Sequence, residues 1–196
     1  MLKKLLFLSL FCSVSLVGIA NKDSTEVSKT KFNHHVSGSF TGILNFKVRV
    51  QYERQLGNRA SFGANLNYYF VNWTGPTIEP FVRIYGDQSG SNKGFFGQAK
   101  LIYGNLSVLD YDLYSDVLKN NRWSTFGAGV AVGYKFLIID HLTIEPLMGF
   151  RVVSPPTYNF NDESMEASAL GIGEGIGWYL TTGLPLDFQL KFGWQF

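Results

Sequence analysis

The chain of 196 residues has a single cysteine, Cys12, and charged residues make up only 16% of it. One thiol cannot staple a small scaffold, so a disulfide framework is excluded. Soluble globular chains carry about 25% charge, and the shortfall argues against a surface that faces water on all sides. Beyond residue 20 no apolar run approaches the roughly 18 uninterrupted residues of a membrane-spanning helix. Collagen and coiled-coil repeats are also missing. What the chain does have is 16% aromatic residues and 21 glycines, which excludes an intrinsically disordered protein.

The first twenty residues, MLKKLLFLSLFCSVSLVGIA, read as an address. Lys3 and Lys4 form a positive head, Leu5 to Val17 is apolar, and Gly18-Ile19-Ala20 ends the run with small residues. That is the layout of a secretory signal peptide, 1–20. The run is short for a transmembrane anchor, and Cys12 follows bulky Leu10-Phe11, which disfavours lipid attachment. Of the 17 basic and 15 acidic residues, two basic ones lie in this segment, leaving 15 against 15. A net charge near zero gives no ground for nucleic-acid binding.

The remainder alternates with period two, the mark of a strand with two unlike faces. From Leu186 to Phe196 every even position is apolar, and the odd ones are Asp187, Gln189, Lys191, Gly193 and Gln195. The same pattern runs through 40–52 (with Ile43 as an exception), 62–70, 78–85, 95–105, 124–138, 142–153 and 168–180, predicting about eight strands. Gly57-Asn58, Gly75-Pro76, Gly90-Ser91-Asn92, Asp140-His141 and Gly183-Leu184-Pro185 are the turn signals between them. Several segments are longer than the usual strand of about 5–6 residues and match a tilted membrane-spanning strand of about 9–11. With helices excluded, a lipid span requires a closed sheet, because every backbone group must be paired.

Alternation alone does not distinguish an outer-membrane barrel from a soluble lipocalin-like binding barrel, whose apolar face turns inward. The polar face here is glycine-rich and sparsely charged, unlike a water-facing exterior. Aromatics gather near strand ends (Tyr52, Tyr68, Phe70, Tyr85, Phe95, Tyr103, Trp123, Phe136, Trp178, Trp194 and Phe196), as in an interfacial girdle. The alternative is that these rings are the core of a soluble barrel.

The ending LDFQLKFGWQF, with its terminal Phe196, resembles the small eight-stranded bacterial outer-membrane β-barrels of the OmpA or OmpX type. The resemblance implies an all-β, closed antiparallel up-and-down transmembrane barrel over 40–196, after a 21–39 N-terminal segment. It also implies recognition by the barrel assembly machinery through Phe188, Phe192, Trp194 and Phe196. Outer-membrane lipid and lipopolysaccharide are then the surroundings, the state monomeric, and no cofactor or nucleic acid is called for. A cell-wall tether is not implied, since no peptidoglycan-binding domain follows.

If the polar face lines the lumen, it holds Lys47, Arg49, Arg83, Lys100, Lys135, Arg151 and Lys191 with Glu53, Glu79, Glu145 and Asp187. The tetrapeptide Thr-Ile-Glu-Pro occurs at 77–80 and again at 143–146, each time followed on the inner face by an arginine. An eight-stranded barrel is only wide enough for side chains to fill, and buried charge must pair. The expectation is an internal ion-pair network, with a narrow ion path as the alternative.

Two features fit poorly. Glu174 would point into lipid, and the long connections 106–122 and 154–167 would share a side with both termini. One repair adds a strand near 31–39 and demotes 168–180. The long connections carry Asp110, Asp112, Asp116, Asp162, Glu163 and Glu166, a possible cation-binding rim. Leu106, Leu109, Leu113 and Val117 have the spacing of a short helix over that rim. His34 and His35 point opposite ways on an extended chain and do not chelate together. Neither catalytic residues nor a metal site are assigned. The expected role is structural or surface-interacting, the alternatives a lipid A-modifying enzyme or a small channel.

Overall fold

Strands with two unlike faces leave hydrogen-bonding edges that must be satisfied, and this chain satisfies them by closing on itself. The order is β1 (His34–Ser39), α1 (Phe40–Leu44), β2 (Lys47–Leu56), β3 (Ala60–Val71), β4 (Trp73–Tyr85), β5 (Gly94–Asp112), β6 (Val117–Leu137), β7 (Leu142–Val153) and β8 (Leu186–Gln195). Each strand pairs with its sequence neighbour, and β1 pairs β8 antiparallel to close the barrel. The computed structural model describes residues 33–44, 47–71, 73–86, 93–112, 117–138, 141–155, 176, 178–180 and 183–196. Among these no helix is long and apolar enough to cross a membrane.

The two faces are sorted without ambiguity. Phe188, Phe192, Leu66, Phe150 and Val152 are exposed outside, Val152 by 74%. Lys191, Glu53, Glu79 and Glu145 are fully buried inside. The barrel is greasy without and charged within.

The chain departs from the sequence reading in four places. First, β1 begins the barrel at His34, inside the stretch assigned to the 21–39 segment, and 40–44 is a turn of helix rather than strand. Ile43, the exception to the alternation, belongs to that helix. Second, β7 pairs β8 directly, so 168–180 supplies no strand between them, and its described residues Ile176 and Trp178–Leu180 are helical. A lipid-facing Glu174 therefore loses its basis; Glu174 itself lies outside the described residues. Third, Gly75-Pro76 is not a turn but part of β4. Gly75 has φ 144, and a Cβ there would collide with the carbonyl of Asn105, so only glycine lets β5 pass this close. Fourth, Leu106 and Leu109 lie in strand β5 and Val117 in β6 rather than in a helix over the rim. The β5–β6 ladder continues from Leu106↔Trp123 to Asp112↔Val117 as one long hairpin.

The first two changes also resolve the misplaced loops. The start of β1 and the end of β8 share an end of the barrel with the β2–β3, β4–β5 and β6–β7 connections. The end of β5, the start of β6, the end of β7 and the start of β8 lie at the opposite end. Gly57, at φ 68, makes the tight β2–β3 turn.

The repeated Thr-Ile-Glu-Pro has a structural meaning. The β4–β5 ladder skips Glu79 and Pro80, and the β6–β7 ladder skips Glu145 and Pro146. Proline has no N–H to give on that edge. On the other edge both dipeptides stay in register, Pro80 opposite Ala64 and Pro146 opposite Leu190.

Candidate functional site

The inward face of β4 sets out the filling of the barrel in axial order: Tyr85, Arg83, Phe81, Glu79, Thr77, Gly75, Trp73. Strands on all sides add charges to the layers this ladder defines. All eleven lumen residues singled out from the sequence are buried, the most exposed being Arg151 and Asp187 at 5%.

They gather into two units, each with two carboxylates and two cations. In the unit nearer the chain ends, Arg83 donates to Glu53 at 2.7 Å and to Glu145 at 3.1 Å. Lys135 reaches Glu53 and Glu145 at 3.0 Å each. Tyr85 and Ser61 hydroxyls donate to Glu53 Oε1 at 2.6 and 2.5 Å. The Arg83 guanidinium also lies 4.3 Å from the Phe96 ring centre and 4.8 Å from that of Phe81. In the second unit Arg49 pairs with Glu79 at 3.1 Å, and Lys100 with Glu79 at 2.9 Å and Asp187 at 2.6 Å. Asn65 and Asn67 amides donate to Glu79, and Gln189 donates to Asp187. Each Thr-Ile-Glu-Pro copy thus places its glutamate in one unit, beside a lysine of the strand next door.

Three cations lie outside these units. Lys191 donates to Gln51 at 2.5 Å. Lys47 donates to the Tyr69 hydroxyl at 3.3 Å, and Arg151 Nε donates to the Leu184 carbonyl at 3.0 Å. Neither Lys47 nor Lys191 has a carboxylate within 4.0 Å among the described residues. Beyond Lys47 the loop end is filled by rings. Trp178, 0% exposed, meets Trp73 and Trp123 edge-on, with ring centres 5.5 and 6.1 Å away. The sequence pattern assigns Trp123, Trp178 and Tyr85 to an interfacial girdle. All three point inward, because the barrel needs bulk at its ends as well as charge in its middle.

Sequence reasoning missed His35. Its ring turns inward from β1, where Nε2 meets Thr143 Oγ1 at 2.7 Å and Nδ1 lies 3.5 Å from Glu53 and 3.6 Å from Glu145. Gly193 makes room, since a Cβ there would strike both His35 Nε2 and Thr143 Oγ1. His35, Glu53 and Glu145 offer three ligand atoms within 4.8 Å of one another. Arg83 and Lys135 already sit on those carboxylates, so a metal ion would have to displace cations that balance the charge. Hydroxyl, imidazole and carboxylate also stand in the order used by a hydrolytic triad, but Thr143 is 0% exposed. His34 points outward, bonded to Tyr52 at 2.7 Å and stacked on Phe196.

No family model matches the chain, and no curated protein matches it. The chain is similar to a solved structure, that of the N-terminal beta-barrel domain of Pseudomonas aeruginosa OprF, 9% identical over 85% of this chain and 98% of that one, with a TM-score of 0.47. The eight-stranded closure stands on the strand pairing itself.

The other residues singled out from the sequence fall as follows. Phe188, Phe192, Trp194 and Phe196 form an outward ladder along the last strand, 45–55% exposed. Trp194 stacks on His141 at 5.0 Å. Asp110 and Asp112 have their backbone in β5, with side chains outside the described set. Asp116, Asp162, Glu163 and Glu166 lie outside the described residues.

Proposed function

We propose that the chain is an integral outer-membrane β-barrel with a side-chain-filled lumen. It acts through its loop end and outer wall, in membrane integrity, surface contact or binding, without catalysis. The observation that carries this reading is the inversion of the barrel: exposed Phe, Leu, Ile and Val cover the wall while charges are enclosed. Such a wall is at rest only in hydrocarbon, and a closed antiparallel sheet is a form that hydrocarbon tolerates. Short connections beside the chain ends and long ones opposite match the periplasmic and extracellular sides of such barrels. On this reading residues 1–20 direct export, and the Phe188–Phe196 ladder is offered to the barrel assembly machinery. Outer-membrane lipid and lipopolysaccharide surround a monomer.

Migration on a gel before and after boiling tests the reading most directly. The detergent-extracted protein should run as two forms, folded and unfolded. One form at all temperatures would count against it. In planar bilayers the charged units and the Trp178 layer should hold the current flat, and steady unitary conductance would overturn the filled interior. The Thr143–His35–carboxylate contact favours one second reading, a lipid A-modifying enzyme. A lipid A acyl pattern that changes with the protein and reverts with His35→Ala would establish that reading instead.

A further inference from the structure

The charges of the lumen do not balance along its length. Among the described residues, and apart from His35, four inward carboxylates stand against seven inward cations. The two units use all four carboxylates and four of the cations, so the excess lies with Lys47, Arg151 and Lys191. Lys191 is held by Gln51. Lys47 and Arg151 meet on the loop side of the Glu79–Asp187 unit, and what joins them is Tyr69.

The register sets Tyr69 of β3 directly opposite Lys47 of β2. The Lys47 ammonium donates to the Tyr69 hydroxyl at 3.3 Å and lies 5.1 Å from its ring centre. The Arg151 side chain, from β7, also hydrogen-bonds that hydroxyl while its Nε donates to the Leu184 carbonyl. One phenol oxygen thus accepts from two cations, and its own proton points at an acceptor that no described residue supplies. The strongest charges acting on Lys47 are those of Arg151 and Arg49, of its own sign. Glu79 and Asp187 come after them and are occupied by Arg49 and Lys100. Bulk water does not relieve this, since Lys47, Tyr69 and Arg151 are all buried and Tyr69 packs in one apolar cluster with Trp73, Trp123 and Trp178. Trp178 Nε1 is a further buried donor of this layer with no hydrogen-bond acceptor among the described residues. A desolvated charge without a counter-charge is strongly destabilising, and donors that converge without an acceptor leave hydrogen bonds unmade.

We propose that Lys47, Tyr69 and Arg151 form a binding site for a small inorganic anion, chloride in ordinary media, enclosed between the Glu79–Asp187 unit and the loop-end rings. The anion accepts the Tyr69 proton and the remaining hydrogens of the Lys47 ammonium, and Arg151 adds a second positive charge. A monatomic anion suits the place because it accepts from any direction, whereas an oxyanion would press its outer oxygens on indole rings, where they find no donors. The site belongs to the lumen and is independent of what the outer wall meets.

Crystals of the full-length protein grown in sodium bromide, measured at the bromine absorption edge, test this directly. A bromide peak should stand in contact with Lys47 Nζ and Tyr69 Oη. In detergent solution, broadening of the chloride NMR signal reads the affinity. Lys47→Met should abolish both the peak and the broadening. Tyr69→Phe should weaken binding about tenfold, the size of one hydrogen bond to a charged group. Lys191→Met removes the other lysine without a carboxylate partner among the described residues and should leave both readouts unchanged; an equal loss there overturns the site. So does an empty position in the unaltered protein, water or a protein carboxylate in that density, or a peak that survives Lys47→Met and marks an adventitious ion only. Heat-dependent gel migration identifies any variant that fails to form the barrel, and the bromide peak in the unaltered protein decides the matter without them.

Discussion

The two charged units inside the barrel carry the same charges, two carboxylates and two cations each, in different surroundings. Glu53, Glu145, Arg83 and Lys135 sit under Tyr85 and Phe96, where β1 completes the wall. Glu79, Asp187, Arg49 and Lys100 sit nearer the loop end, where α1 rather than β1 contacts β2 and β8, with Lys47 and Arg151 as further cations. Their partners differ too. Glu79 and Asp187 are backed by amides of Asn65, Asn67 and Gln189. Glu145 is not: its Oε1 has ion-pair neighbours but no hydrogen bond. Equal charge therefore does not mean equal robustness. In the first unit Glu145 depends on its cations, while Glu53 also takes the Tyr85 and Ser61 hydroxyls and the Gln51 amide; in the second unit both carboxylates have neutral donors.

Removing one arginine from each unit tests this contrast. Arg83→Met takes away a cation shared by Glu53 and Glu145 and the stacking on Phe96. Lys135 is then left to serve both carboxylates. Breaking a buried pair from one side costs about 3–5 kcal/mol, and urea unfolding from lipid vesicles should show a loss of that size. Arg49→Met is expected to cost less, about 1–3 kcal/mol, because Glu79 and Asp187 both keep Lys100 and at least one amide. Equal losses in the two variants would break the comparison. A double cycle of Arg83→Met with Glu145→Gln sharpens it: a coupling of about 0.5–3 kcal/mol is the range for residues in one network. Additive losses would show that Glu145 does not rely on Arg83.

The sequence carried the outward ladder of β8, the eleven inward charges and the paired Thr-Ile-Glu-Pro, because each depends only on period two and on the chemistry of a closed sheet. It did not carry the ends of the barrel. β1 is six residues, HHVSGS, with serines facing in and a glycine facing out, so its alternation has little apolar contrast. The 168–180 stretch shows the opposite fault, since glycines between apolar residues mimic a strand in a segment that places Trp178 in the loop-end layer. α1 was hidden because Phe40, Thr41 and Gly42 continue the alternation without a break. The convergence of His35, Glu53 and Glu145 comes from three strands, β1, β2 and β7. Only the register reveals it.

Lys47 gives the smallest effect and the finest test of the contrast. It is 3% exposed and donates to a neutral tyrosine hydroxyl, so its charge is desolvated with no carboxylate within 4.0 Å among the described residues to offset the cost. Replacing such a cation by an apolar residue of similar length is often neutral or stabilising. Lys47→Met should therefore shift the unfolding midpoint by no more than about 1 kcal/mol in either direction. A loss as large as that of Arg83→Met would mean that Lys47 belongs electrostatically to the Glu79–Asp187 unit, and that the loop-side half of the lumen is one network rather than a balanced unit with a spare charge.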